Sequence, residues 1–130
     1  MSQNDTMARL VDLIEFSKDG EWGSGTASDD AVEMRVIRGT DFAATSRGDL
    51  SGLPTRYIAT RAANAKRLSD HDIVIETAGG SKDRPTGRTL FVRPGLVSSA
   101  PAPLICASFS RVIRIDSRLA EPAFVYWYLQ

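Results

Sequence analysis

Three cations and three glycines lie within the ten residues from Gly79 to Arg88. Glycine has no Cβ, so the backbone N–H groups of such a segment can approach a ligand closely. Positive side chains around that backbone favour a polyanion, of which the phosphate backbone of a nucleic acid is the commonest. Phosphate contacts are therefore predicted for Gly79, Gly80, Ser81, Lys82, Arg84, Thr86, Gly87 and Arg88.

The alternative is that this segment is a solvated turn without a binding function, as many Gly-rich basic loops are. It is not a nucleotide P-loop, because Lys82 follows Gly-Gly-Ser instead of closing a GxxxxGKS/T pattern. Nor is it a dinucleotide fingerprint, which needs GxGxxG at the start of a helix that follows a strand.

Two runs with strand character, 72–75 and 89–92, flank the basic segment. A β-hairpin loop usually has about two to five residues, so the connection between these two runs is longer than a hairpin needs. Alternating or apolar runs predict further strands at 32–38, 56–60 and 104–116, the last bent or bulged near 108–111.

The remaining segments are less regular. Residues 42–54 and 94–103 have the composition of loops, and 61–68 is polar enough to be a helical turn or an arm. Met7, Leu10, Val11 and Ile14 have helical spacing, and Glu121-Pro122 is typical of a helix start. Together these patterns predict an α+β fold, with a twisted, largely antiparallel sheet that could close partly, a few short helices and long irregular loops.

The length of 130 residues allows one domain, 1–130, with one core. No run approaches the roughly 18 apolar residues of a membrane span, and the first residues lack the features of a secretory signal. The single cysteine, Cys106, excludes an intramolecular disulfide and fits a reducing cytoplasm. We expect it to be a small buried hydrophobe.

The net charge of zero conceals a segregation of charge along the chain. Residues 1–34 carry two basic and eight acidic side chains, whereas residues 35–93 carry eleven basic and six acidic ones. Because salt screens charges beyond about 8 to 10 Å, local charge matters more than the total. A basic middle on a neutral chain is compatible with weak DNA binding.

The residue pattern predicts no catalytic apparatus, no metal site and no cofactor. One histidine and one cysteine cannot make a standard zinc site, and nothing marks a nucleophile beside His71, which we expect in a turn. Asp72 and Glu76 are spaced as in a metal-dependent nuclease, yet Ala78 stands where that site would need lysine. We therefore expect Asp70, Asp72 and Glu76 to be surface and turn acids.

Five motifs in order carry a family resemblance. They are Asp19-Gly20-Glu21-Trp22-Gly23, Arg35-Val36-Ile37-Arg38-Gly39-Thr40-Asp41-Phe42, Asp72-Ile73-Val74-Ile75-Glu76, the pair Gly79-Gly80-Ser81 with Pro85-Thr86-Gly87-Arg88, and Phe109-Ser110-Arg111-Val112-Ile113-Arg114. The chain, from about Leu10 to Leu129, resembles a target recognition domain of the specificity subunit of type I restriction-modification enzymes. The departure is length, since neither a spacer nor a second domain is present.

The resemblance implies a non-catalytic module that reads one half of a bipartite sequence in double-stranded DNA. Its implied partners are modification (methyltransferase) subunits and a motor-nuclease restriction subunit, which would carry the chemistry. On this interpretation the chain is an isolated N-terminal recognition domain or a truncated product, and Glu121 onward leads towards a spacer helix.

Within that interpretation, side chains on irregular loops and arms would read base edges in the major groove. The candidates are Ser46, Arg47, Asp49, Arg56, Arg61, Asn64, Lys66 and Arg67. Arg38, Thr40 and Asp41 could contact DNA or form a structural pair. Two other classes stay open: a protein-interaction domain that docks a partner through its aromatic C-terminal segment, and a small enzyme that uses Asp72, Glu76 and Lys82.

Overall fold

Two β-sheets organise the chain in a computed structural model that describes residues 12–77 and 87–129. These residues form seven strands: β1 Ile14–Asp19, β2 Ala31–Ile37, β3 Thr55–Ala59, β4 Ile73–Glu76, β5 Thr89–Phe91, β6 Leu104–Cys106 and β7 Ser110–Ile115. Four short helices accompany them: α1 Phe42–Ser46, α2 Thr60–Lys66, α3 Leu96–Ser99 and α4 Pro122–Leu129. A 3-10 turn at Gly39–Asp41 precedes α1. The α+β class is confirmed.

The strands divide into a four-stranded sheet of order β1-β7-β4-β5 and a three-stranded sheet of order β3-β2-β6. Every neighbouring pair is antiparallel except β2 and β6, which are parallel. Within the described residues neither sheet closes on itself. The predicted largely antiparallel pairing is confirmed, and it is distributed over two separate sheets.

Alternating side chains give the sheets two buried faces. In β4, Val74 faces the core between the sheets, whereas Ile73 and Ile75 face the layer beneath α4. In β6, Leu104 and Cys106 face the shared core, whereas Ile105 packs with Met34 and Ala63 under α2. A strand with both faces buried has a continuous apolar sequence, as these two have.

Two boundaries differ from the sequence predictions. Residues 104–116 are two strands in different sheets, separated by a turn in which the N–H of Ser110 donates to the C=O of Ala107 at 3.0 Å. Residues 42–46 are helical instead of loop, because Phe42 and Thr45 are buried there. The predicted loop at 94–103 likewise contains α3.

Other local predictions are confirmed. The strands near 32–38 and 56–60 form, α4 begins at Pro122, and 61–68 contains α2. Asp12 and Leu13 are helical just before β1, whereas Met7, Leu10 and Val11 lie outside the described residues. Among the described residues, no helix is long and apolar enough to cross a membrane.

Cys106 is fully buried in the shared core, as predicted, and burial raises the pKa of its thiol to about 12. The folded chain therefore holds this proton more tightly than the unfolded chain, in which a thiol has a pKa near 9.0. As pH rises above about 9, this group should therefore lower the free energy of unfolding, because the unfolded chain releases the thiol proton first.

We expect urea unfolding to show a steeper loss of stability above pH 9 in the wild type than in Cys106→Ala. The comparison concerns slopes, because the substitution also changes stability at every pH through the lost packing. Parallel slopes for the two proteins would contradict the predicted contribution of the thiol.

Candidate functional site

The base of the basic segment lies at the ends of β4 and β5. Gly87 and Arg88 are described, whereas Gly79, Gly80, Ser81, Lys82, Arg84 and Thr86 lie outside the described residues. The backbone N–H of Glu76 donates to the C=O of Arg88 at 2.8 Å, which joins the two sides of the segment. Gly87 has a φ of 73°, and a Cβ there would lie 2.4 Å from the carbonyl oxygen of Glu76. Glycine is required at this position.

The carboxylate of Glu76 is the central group at this end of the sheet. Its side chain is only 10% exposed, and its Oε1 lies 3.5 Å from Nε of Arg88. Arg88 also donates from Nη1 to the C=O of Gly39 at 3.1 Å. A Cβ on Gly39 would lie 1.6 Å from Oε2 of Glu76, so the absence of a side chain leaves room for the carboxylate.

A pocket of about 280 Å³ adjoins this carboxylate. Arg38, Gly39 and Thr40 form one wall, Glu76 lies beside them, and Ala107, Phe109 and Ser110 complete the lining. The Phe109 side chain is 69% exposed. The pocket therefore combines a mainly apolar lining, one carboxylate and an exposed aromatic ring.

Arg38 and Asp41 form a structural pair, which settles one open alternative. Nε and Nη2 of Arg38 donate to the two carboxylate oxygens of Asp41 at 2.9 and 3.2 Å, and the Arg38 backbone N–H donates at 2.9 Å. Hydrogen bonding to Asp41 raises the pKa of Arg38. The pair caps the 3-10 turn that carries Gly39 to the pocket.

Two predicted base-reading residues are engaged inside the protein. Arg56 donates to the carbonyls of Trp22 and Gly23 at 3.0 and 3.1 Å, and its guanidinium lies 4.3 Å from the Trp22 ring centroid. Lys66 donates to Glu21 at 2.7 Å. These contacts hold the Trp22 loop and reduce the freedom of both cations to reach a ligand. Trp22 itself is exposed, and its ring packs on Arg56.

Arg47 and Arg67 lie at the opposite end of β4 from the basic segment. The C=O of Arg67 accepts from Arg114, which binds Asp72 just before β4. Arg47 follows α1, whose turn at Gly48 lies near Arg93. Asp72 and Glu76 are four positions apart, so the two ends are about 13 Å apart along β4.

The other four candidates are exposed. Ser46 donates to the C=O of Ala43, and Asp49 accepts from the hydroxyl and backbone N–H of Ser51, which lowers the pKa of Asp49. Arg61 and Asn64 lie on exposed positions of α2. Nothing in the described residues ties Arg61 or Asn64 to another side chain.

Sequence reasoning gave no role to Arg93 and assigned Phe109 to an apolar strand run. Arg93 follows the end of β5, and its Nη2 lies 3.5 Å from where a Cβ on Gly48 would be. No local sequence pattern predicts the position of either side chain, because the neighbours of each come from distant parts of the chain.

The expectation that Asp72 is a surface or turn acid is wrong. Its side chain is 0% exposed and accepts from Nε and Nη2 of Arg114 at 2.8 and 2.9 Å. The backbone N–H of Ser69 donates to the same carboxylate at 2.8 Å. Hydrogen bonding to Asp72 raises the pKa of Arg114. Asp72 therefore has a structural partner, and it lies at the other end of β4 from Glu76.

Asp70 and His71 lie in an exposed turn, and His71 has a φ of 72°. Across residues 12–77 and 87–129, no group of three or more His, Cys, Asp or Glu side chains could hold a metal ion. No protein-family model matches the chain, and no curated protein matches it either.

Proposed function

We propose that this chain is a non-catalytic DNA-recognition module. It would read one half of a bipartite target in double-stranded DNA for a type I restriction-modification complex. Methyltransferase subunits and a motor-nuclease subunit would supply the catalysis. The proposal rests on the five-motif resemblance and on the placement of the cations.

The observation that supports the proposal is that three arginines from distant parts of the chain lie at the same end of β4. Arg47, Arg67 and Arg93 are exposed at the Asp72 end of β4, and none forms an ion pair with another described residue. Exposed cations without protein partners are available for phosphate oxygens or guanine edges. Arg88, at the base of the basic segment, lies at the other end of β4.

The division of labour would follow the type of contact. Residues Gly79 to Arg88 would position the duplex through phosphates. Arg47 and Arg67, with Ser46, Asp49, Arg61 and Asn64, would supply base contacts. Arg56 and Lys66 are assigned a supporting role instead, since both already hold the Trp22 loop.

Replacing Arg47 and Arg93 together with alanine should weaken binding to a randomised duplex pool and flatten its salt dependence. Each lost phosphate contact removes about 0.9 from the slope of log K against log salt. The double variant should therefore lose about 1 through Arg93, and about 2 if Arg47 also contacts a phosphate. Fluorescence anisotropy between 50 and 200 mM salt (about the range over which such binding changes most) would measure both effects.

The control is Lys18→Ala/Arg118→Ala, which removes the same charge from exposed residues that carry no predicted DNA contact. If the two double variants lost the same amount of duplex affinity, only the total charge of the protein would matter. That result would contradict an interface at Arg47 and Arg93. Enrichment of a short motif from the pool would identify the half-site. Absence of salt-dependent duplex binding in the wild type would contradict the proposed function.

A second candidate function has one observation in its favour. Phe124 and Trp127, three residues apart on α4, are 70% and 73% exposed, and Leu119 is exposed just before the helix. The buried side of α4 packs through Val125 and Leu129 on the four-stranded sheet. An interaction domain that docks a protein through this apolar surface would retain docking when Arg47 and Arg93 are replaced.

A further inference from the structure

The pocket beside Glu76 has a wall made by an exposed aromatic ring on a fixed backbone. The C=O of Phe109 accepts from both the backbone N–H and the Oγ1 of Thr77, at 2.9 and 3.0 Å. The N–H of Ser110 donates to Ala107 and closes the turn. Phe109 is thus exposed although its backbone is held from two sides, so a ligand would meet a pre-positioned ring.

Counting partners from the described residues alone, the Glu76 carboxylate in the pocket can still accept hydrogen bonds. The Glu76 side chain is almost buried, and among the described residues it has the 3.5 Å ion pair with Arg88 and no side-chain hydrogen bond. A carboxylate can accept about four hydrogen bonds, so acceptor positions remain for a ligand. A ligand that offers N–H groups would satisfy it.

The size and lining of the pocket suit a small molecule that has a flat apolar face. Its volume of about 280 Å³ is just below the roughly 300–1,000 Å³ of sites for drug-sized ligands, which suits a single ring system. A nucleobase stacks on an aromatic ring through its π face. Cytosine and adenine also carry an exocyclic amino group that a carboxylate can bind, whereas thymine presents a carbonyl oxygen there.

We propose that this pocket captures one unpaired nucleobase bearing an exocyclic amino group, stacked on Phe109 and hydrogen-bonded to Glu76. The inference rests on the proposed function, because it adds a base-specific contact to a nucleic-acid interface. Arg88, fixed between Gly39 and Glu76, would contact the phosphate next to that base. A paired base cannot enter, so single-stranded probes give the most direct test.

The test uses the full chain and fluorescently labelled oligodeoxycytidine, oligodeoxyadenosine and oligothymidine of equal length. We expect the wild type to bind the first two more tightly than oligothymidine. Phe109→Ala should weaken binding of oligodeoxycytidine by about tenfold, since stacking on an aromatic side chain is worth roughly that factor or more. Phe124→Ala is the matched control, because Phe124 is equally exposed (70% against 69%) and lies outside the pocket.

Glu76→Gln tests the hydrogen bond separately from stacking. Glutamine keeps the size of the side chain but presents a mixed donor and acceptor, so the preference over oligothymidine should fall while binding to oligothymidine is retained. A thermal melt of each variant checks that it is folded before binding is compared. Should Glu76→Gln fail to fold, the wild-type preference and the Phe109→Ala result still decide the inference.

The outcomes separate this inference from the proposed function. Three results would each contradict the proposed base-binding pocket. They are equal binding by Phe109→Ala and Phe124→Ala, no preference of the wild type over oligothymidine, and no binding of single strands. Salt-dependent binding of the duplex pool would still stand in those cases. Conversely, single-strand binding that depends on Phe109, without duplex binding, would support the pocket and contradict duplex recognition.

Discussion

Asp72→Ala should lower the free energy of unfolding by about 3 kcal/mol or more. Removing one partner of a buried ion pair leaves the other charge without compensation, which typically costs about 3 to 5 kcal/mol. The Arg114 side chain is 32% exposed and retains some contact with water, so we expect the lower end of that range. The substitution also leaves the backbone N–H of Ser69 without its acceptor.

Urea denaturation of Asp72→Ala, Arg114→Ala and the double variant would measure the coupling between the two residues. We expect the double variant to be less destabilised than the sum of the single changes, since it leaves no unpaired charge. Asp116→Ala is the control, because that carboxylate binds the exposed Arg118 and should matter much less. A loss below about 1 kcal/mol for Asp72→Ala would contradict a structural role for the pair.

Gly20→Ala should destabilise the fold by about 3 kcal/mol, at the upper end of ordinary overpacking. A Cβ on Gly20 would lie 2.1 Å from the carbonyl oxygen of Cys106 and 2.3 Å from that of Ala107. Both atoms belong to the backbone and cannot rotate away, unlike the end of a flexible side chain. The N–H groups of Gly20 and Glu21 also donate to Ser110 and Cys106 at 3.0 and 2.9 Å, so a shift would break bonds joining the two sheets.

Gly52→Ala provides the same chemical change without the crowding. A Cβ on Gly52 would have no atom within 4 Å, and its φ lies outside the left-handed region. We expect this variant to be as stable as the wild type, or slightly more stable through a less flexible unfolded chain. If thermal and urea unfolding gave the same midpoint for Gly20→Ala and Gly52→Ala, the close approach at Gly20 would have no energetic consequence.

Short sequence patterns predicted the type of many elements but not their pairing. The continuous apolar run Ile73-Val74-Ile75 indicates a strand with two buried faces, because side chains on successive residues enter opposite buried layers. The apolar run from Leu104 to Ile115 gave no indication that its two halves belong to different sheets. That division depends on β6 pairing with β2, some 70 residues earlier by position.

The candidate site was predictable only in part for the same reason. The glycines and cations of 79–88 identify that segment as a candidate for phosphate binding. No sequence pattern near Glu76 predicts that Gly39 and Phe109 line the same pocket as its carboxylate. Arg93 likewise reaches the turn at Gly48 through the packing of α1 on β5. Asp72 was misassigned because its partner, Arg114, is 42 residues away.

The sequence by itself determined the α+β class, the positions of most strands along the chain and the basic character of its middle third. Periodic burial and turn residues are local properties, so a short window is enough to predict them. Only the tertiary structure decided that there are two sheets, that Asp72 is buried, and that Phe109, Glu76 and Gly39 meet. Those outcomes depend on which distant side chains fill the same space, and such long-range packing has no signature within any one segment.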